Sequence, residues 1–260
     1  LDLLPKPWPW AIAPEPQNVA TAGRVPQEMP DFAAIEDIEA KKQAFFDYLQ
    51  PIVDAQNQRI TRQRARLLKI IDKVALRLPL SSEDQVFLYG LSRIYDISLG
   101  LPDNTSALEQ LLHRVDVIPA SLVLAQAANE SGWGTSRFAR EGYNLFGQWC
   151  YREGCGLIPK RRDPGAHHEV QSFNSIEEAV VAYFMNLNTF ERYQELRNIR
   201  QQLRERNAPV DSLSLVEGLK AYSERGADYI DDLLDIIDQN ALLQRDFIGT
   251  ELLAPVTSAY

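Results

Sequence analysis

The sequence predicts a mainly α protein of the α+β class, a helical domain that carries a small β-lobe. Three observations lead there. Apolar residues recur at helical spacing from about Ile35 onward; that period disappears between Trp149 and Phe173 and then resumes; and the first thirty residues hold seven of the fifteen prolines. With 260 residues, 45% of them hydrophobic, the chain can bury one large core with an accessory layer.

Residues 1–34 read as an extended proline-rich arm, because Pro5, Pro7, Pro9, Pro14, Pro16, Pro26 and Pro30 leave little room for regular structure. Trp8 and Trp10 in "PWPW" suit packing of that arm onto the body better than contact with a partner or a membrane surface. Residues 35–114 form an N-terminal helical region packed on the core. Its first helix carries Ile38, Phe45 and Leu49 and stops at Pro51. A second amphipathic run, "IVDAQNQRITRQRARLLKIIDKVALRL", ends before Pro79. "LSSEDQVFLYGLSRIYDI" opens on capping serines and lines up Phe87, Leu91 and Ile94, and "SALEQLLHRV" shows capping-box spacing between Ser106 and Glu109.

Residues 115–250 form the main domain, which Pro119 opens at a first helical turn. Its non-helical stretch contains "GLIP" and "HEVQSF", short β-prone pieces that suggest a hairpin. Ser175 and Glu178 restart the helices as a capping box, with Val180, Tyr183, Phe184 and Leu187 inward. The last helix follows Gly226, with Asp228 as its cap and Ile230, Leu233, Leu234 and Ile237 as its stripe. Residues 251–260 are a C-terminal tail.

A net charge of −9 and a pI near 5.0 argue against nucleic-acid binding, and the "KRR" cluster at 160–162 reads as a solvated loop. No stretch approaches the ~18 apolar residues of a membrane helix, and no charged-then-apolar leader opens the chain. The protein is expected either to be cytosolic or to have lost a leader.

The chemistry concentrates in one place. The helix from Pro119 to Ser131 is built from Leu122, Leu124, Ala125, Ala127 and Ala128, so it must be buried, and its single acid, Glu130, sits at the C-terminal end. The negative pole of the helix and the apolar surroundings both favour the protonated carboxyl, the form a general acid needs. Gly132 supplies the left-handed turn that ends the helix, and Trp133 offers a flat wall on which a sugar can stack. The plainer alternative is a helix-end salt bridge from Glu130 to Arg137 or Arg140.

The stretch "PASLVLAQAANESGWGTSRFAREGYNLFGQW" (119–149) resembles the signature of the N-acetylglucosaminidases of glycoside hydrolase family 73, including the FlgJ-type muralytic domain. In that family a small-residue helix ends in the catalytic glutamate, followed by Ser-Gly-Trp-Gly and then Asn-Leu-Phe-Gly. "AYSERGADYIDDLLDII" is similar to the family's tyrosine motif and matches Tyr222 and Tyr229, with "SERGAD" in place of the usual small-polar and proline segment. The resemblance covers roughly Val115 to Asn240. "DIEAKKQAFFDYLQPIVDAQNQRI" and "WCYREGCGLIPKRR" look more narrowly like the bacterial Bax-type envelope proteins. No phosphate-binding glycine loop accompanies them, and no cofactor is expected.

The resemblance implies a lysozyme-like fold with a cleft between helices and β-lobe, and peptidoglycan glycan strands as substrate, cut on the β-1,4 bond after N-acetylglucosamine. It implies catalytic roles for Glu130, Tyr222 and Tyr229. Trp133, Asn144, Phe146 and Trp149 are the substrate-binding candidates; among the aromatic residues Tyr143, Phe146 and Trp149, the core suits Phe146 better and the cleft suits Trp149. Competing functions are a non-hydrolytic glycan-binding envelope module and a lytic transglycosylase. A monomer is expected, and tethering to a membrane before processing is compatible with the sequence.

Cys150 and Cys155 bracket "YREG", a spacing that fits a tight loop closed by a disulfide. Such a bond points to an oxidising compartment, the periplasm or cell envelope. A zinc site of Cys150, Cys155, His167 and His168 is the competitor, weakened because adjacent strand histidines face opposite ways. His113, on an amphipathic helix, reads as structural. For a second carboxylate the candidates are Glu153, Asp163 and Glu169. Glu153 and Asp163 have turn character, which leaves Glu169 to project towards the cleft; if no acid does so, the substrate's own N-acetyl group can serve as nucleophile.

Overall fold

A computed structural model describes residues 29–160, 165 and 167–246. Trp8, Trp10 and most of the proline-rich arm, Arg161 and Arg162 of the basic cluster, Asp163 and the C-terminal tail lie outside the described residues. The architecture is mainly α with a small three-stranded antiparallel sheet, in the lysozyme-like manner. The helices are α1 (Ile38–Ala75), α2 (Ser82–Ile94), α3 (Thr105–Arg114), α4 (Ala120–Ser131), α5 (Arg137–Gly142), α6 (Ile176–Thr189), α7 (Gln194–Glu205), α8 (Ser212–Leu215), α9 (Ala227–Gln239) and α10 (Leu243–Asp246). Among the described residues no helix is long and apolar enough to cross a membrane.

The described chain divides into two compact units, 62–116 and 29–61 with 117–246. Pro51 does not end the first helix: α1 runs through it without a break. Proline forfeits one intrahelical hydrogen bond, about 3 kcal/mol or more in a helix interior. Here its ring is exposed while its neighbours Leu49, Gln50, Ile52 and Val53 are all buried, and that packing offsets the loss.

In the unit 62–116, α2 begins with a full capping box between Ser81 and Asp84, and Asp84 also meets Lys73 at 2.7 Å. Its buried stripe keeps the expected Leu91 but takes Leu88 and Tyr95 in place of Phe87 and Ile94, which are half-buried. Helix α3 is capped by Asn104, which accepts from the Ala107 amide, so its start lies ahead of the expected Ser106 box. Arg64 closes this unit by donating to the carbonyls of Leu112 and Val115.

In the other unit, α4 is the central element, buried throughout from Ala120 to Ala128 and packed against α9 and α10. Pro119 has no side chain with which to cap it. Asp246 of α10 does so from 125 residues away, accepting from the Ser121 amide at 2.8 Å and from its hydroxyl at 2.6 Å. Asn57 of α1 fixes the approach to α4 by pairing with both backbone groups of Ile118. The last residues of the expected arm are tied down as well, since Phe32 is buried edge-on against Phe45 and Tyr48 of α1.

Helix α6 is capped by Ser175 as expected, but Glu178 returns its carboxylate to the Asn174 amide, one residue earlier than a standard box. Gly226, at φ +56°, caps α9, and Asp228 lies in the first turn as a dipole partner.

The β-lobe comprises β1 (Trp149–Cys150), β2 (Gly156–Leu157) and β3 (Glu169–Gln171), with β3 in the middle. The expected pairing of "GLIP" with "HEVQSF" is the β2–β3 ladder; β1 adds on the other side, Cys150 opposite Glu169. Gly156 is required here, because a Cβ would lie 1.9 Å from the Val170 carbonyl oxygen. Cys150 and Cys155 are joined as a disulfide and close the loop between the two outer strands. This consumes the thiolates that a zinc site would need. Replacing both cysteines by serine is expected to cost about 2 kcal/mol on the loop-closure estimate, read by denaturant unfolding, and the unmodified protein should titrate with no free thiol.

Candidate active site

Helix α4 ends in three successive left-handed residues, Gly132 (φ +56°), Trp133 (φ +59°) and Gly134 (φ +74°). Two glycines adopt this conformation at no steric cost, but tryptophan does not. Its strain is offset by packing: the half-buried indole meets Phe45 and Phe46 edge-on, at ring separations of 6.1 and 5.2 Å, with the Lys42 ammonium over its face. Trp133 is therefore engaged with α1. At Gly134 a Cβ would come within 2.6 Å of the Phe32 ring, so this glycine admits Phe32 to the same aromatic cluster. Ser131 ties the turn together, donating to the Ala127 carbonyl and accepting from the Gly134 amide.

This sharp stop leaves Glu130 on the last turn of α4, partly buried. Burial raises its carboxyl above the ordinary carboxylate range; a hydrogen bond with the Tyr229 hydroxyl and the charge of Arg225 oppose that rise. The salt-bridge alternative is not taken up by Arg137, which pairs with Glu141 and donates to the Ile158 carbonyl. The cation that Glu130 senses is Arg225, in the very "SERGAD" segment where the sequence departs from the family pattern. Arg225 is itself paired with Asp232 at 2.6 Å.

Both motif tyrosines converge here, through different bonds. Tyr229 opens α9, is 1% exposed, and its hydroxyl accepts from Gln126 Nε2 at 2.8 Å while binding Glu130. Tyr222 stacks parallel on Tyr229 with ring centroids 5.6 Å apart and donates its hydroxyl hydrogen to the Phe146 carbonyl at 2.7 Å. Burial raises both phenols, so each stays a neutral hydroxyl.

The "NLFG" stretch forms the facing turn. Asn144 is buried and uses its whole amide: it donates to the carbonyls of Gln148 and Gln171 and accepts from the amides of Phe146 and Gln148. Those bonds join the turn to β3, which makes Asn144 a structural clasp. Phe146 is 1% exposed and stacks on Tyr183 at 4.1 Å, in the core. Gly147, at φ +62°, comes so close to Glu130 that a Cβ would stand 3.2 Å from its Oε2.

On the β-lobe, Trp149 is 54% exposed and stacked on His168 at 4.0 Å, a presented aromatic face that suits a sugar ring. Glu169 points the other way. It is 4% exposed, and its two oxygens accept from the backbone amides of Gly154 (3.0 Å) and Gly156 (2.8 Å), so it organises the disulfide loop from beneath. Glu153 is exposed in the loop above. Three further residues carry weight that the motifs do not announce: Gln126, Arg225 and Asp246. Only Gln126 left a trace in the sequence, as a polar residue one turn before Glu130 in an apolar helix.

The family of mannosyl-glycoprotein endo-beta-N-acetylglucosaminidases, the glucosaminidase family, matches residues 105–242. The chain is 32% identical over 215 residues to the protein named Protein bax of Escherichia coli (strain K12), across 83% of this chain and 75% of that one. No solved structure matches the chain. The matched region contains Gln126, Glu130, Asn144, Gly147, Tyr222, Arg225 and Tyr229.

Proposed function

The chain belongs to the glucosaminidase family, and we propose that it is a peptidoglycan hydrolase, an endo-β-N-acetylglucosaminidase that cuts the β-1,4 bond after N-acetylglucosamine with Glu130 as general acid. The observation that carries this reading is the carboxyl itself, raised by burial, held by one neutral tyrosine and flanked by a bare glycine. A raised carboxyl retains its proton at a pH where an ordinary one has lost it, and can deliver that proton to the leaving O4 as the glycosidic bond breaks.

The engagement of Glu169 by two backbone amides favours a mechanism without a second carboxylate. In it the acetamido oxygen of the substrate attacks the anomeric carbon as Glu130 protonates the leaving oxygen. Water, deprotonated by the resulting Glu130 carboxylate, then opens the cyclic intermediate and restores the acid. Tyr229 orients Glu130, Tyr222 supports the turn that carries Gly147, and Trp149 stacks against the glycan. The disulfide suits an oxidising compartment, in keeping with a place in the cell envelope.

Product analysis of digested peptidoglycan tests the reading. Reducing N-acetylglucosamine ends, released with retention as followed by NMR, are expected. A 1,6-anhydro-muramic end would identify a lytic transglycosylase, absence of cleavage a binding module, and inversion would exclude substrate assistance. Glu169→Gln should lower stability by about 1–3 kcal/mol, because the new amide group opposes a backbone N–H, while kcat remains near its original value. A rate loss comparable to that of Glu130→Gln would instead make Glu169 the second catalytic acid.

A further inference from the structure

The hydrogen bonds that reach Glu130 begin two helices away and pass through a glutamine. Gln126 lies one helical turn before Glu130 on α4 and is fully buried. Its Oε1 accepts from the Tyr183 hydroxyl of α6, and its Nε2 donates to the Tyr229 hydroxyl of α9 at 2.8 Å. Tyr229 in turn is bonded to Glu130. An amide oxygen only accepts and an amide nitrogen only donates, so the chain has one direction. Tyr183 must give its proton to Gln126; Tyr229 takes a hydrogen bond from Gln126 and has its own single proton left for Glu130.

We propose that Gln126 is a positioning residue: acting through the Tyr229 hydroxyl, it commits one oxygen of Glu130 to accepting a hydrogen bond and leaves the other to carry the proton delivered to the substrate. The proposal rests on Glu130 being the acid. A purely structural account fits poorly. Burying an amide and two hydroxyls is unfavourable unless all are paired, and apolar side chains of similar size would fill the same space between α4, α6 and α9 without that requirement. What the polar chain adds, and an apolar core cannot, is a fixed direction of hydrogen bonding at the carboxyl. The ionisable groups facing Glu130 are Tyr183, Tyr193, Tyr222, Tyr229 and Arg225, and burial raises each of these phenols, so Arg225 is the charged one.

The test is a titration of the Glu130 carboxyl by NMR in the full chain labelled with carbon-13 glutamate, assigned with Glu130→Gln, alongside hydrolysis kinetics. Gln126→Met should move the Glu130 midpoint upward, because the Tyr229 hydroxyl loses the bond that polarises it towards the carboxylate. It should lower kcat by about tenfold, the equivalent of one hydrogen bond to a charged group, with KM unchanged. Tyr229→Phe should also move the midpoint upward, and adding Gln126→Met to it should move it no further, since both act through one bond. An unchanged or lowered midpoint in Gln126→Met, or an equal shift with and without the Tyr229 hydroxyl, would overturn the proposal. If Gln126→Met does not fold, Tyr183→Phe takes its place, with the same expected sign and the same dependence on Tyr229. The two readings fail separately. Active Glu130→Gln would remove the acid role and leave the titration result standing, whereas an unmoved midpoint with inactive Glu130→Gln would remove only the relay.

Discussion

Glu130→Gln should leave the fold intact and slow peptidoglycan hydrolysis by about 10²–10⁴-fold, the range that a positioned general acid contributes. The amide fills the same space and can still accept from Tyr229, but it has no proton to give. The raised carboxyl of Glu130 must be protonated to act, so the rate of the unmodified protein should fall as pH rises through that raised value. The same shift bears on stability. Between the ordinary glutamate range and the raised value the folded state binds more protons than the unfolded one, so stability falls with rising pH across that window. Glu130→Gln should therefore be more stable than the parent above the window and show no gain below it. Near-normal hydrolysis by this variant, measured on gel-embedded peptidoglycan, would remove Glu130 from the mechanism.

Gly147→Ala should lower kcat by about ten- to hundredfold, because small misplacements of a reacting group are that costly. The added Cβ would stand 3.2 Å from Glu130 Oε2, at a residue with φ +62°. Backbone strain alone would cost about 1 kcal/mol of stability. Gly154→Ala separates the two effects: Gly154 has φ +76° and an added Cβ there would meet nothing within 4 Å, so the strain is comparable and no catalytic group is touched. Equal rate losses in the two variants would show that the effect is general destabilisation; a loss confined to Gly147→Ala places the contact with Glu130 at fault.

Much of the frame was legible in residue order. The buried helix ending at Glu130, the left-handed Gly132, the restart at Ser175, the β-lobe and the Cys150–Cys155 bridge all follow from short-range rules: helical spacing, caps, and cysteines five residues apart. The readings that changed depend on what lies opposite. Pro51 looked like a helix end because its local cost is visible in sequence, while the burial of Leu49, Ile52 and Val53 that offsets it is not. Trp133 reads from the sequence as a bare flat wall, whereas the fold sets its ring in T-shaped contact with Phe45 and Phe46 of α1. Glu169 looked available until β3 took the centre of the sheet and placed two backbone amides of the disulfide loop against its carboxylate.

The sequence by itself determined the class of the fold, the family and the place of Glu130 in the last turn of a buried helix, because these are written in contiguous patterns whose physics acts within a few residues. Only the tertiary structure decided how that carboxyl is tuned. Tyr229 lies 99 positions beyond Glu130 and Tyr183 lies 57 beyond Gln126, so their hydroxyls meet α4 only when α6 and α9 pack on it. Burial and hydrogen bonding at a carboxyl depend on distance in space, and a linear order of residues does not contain that distance.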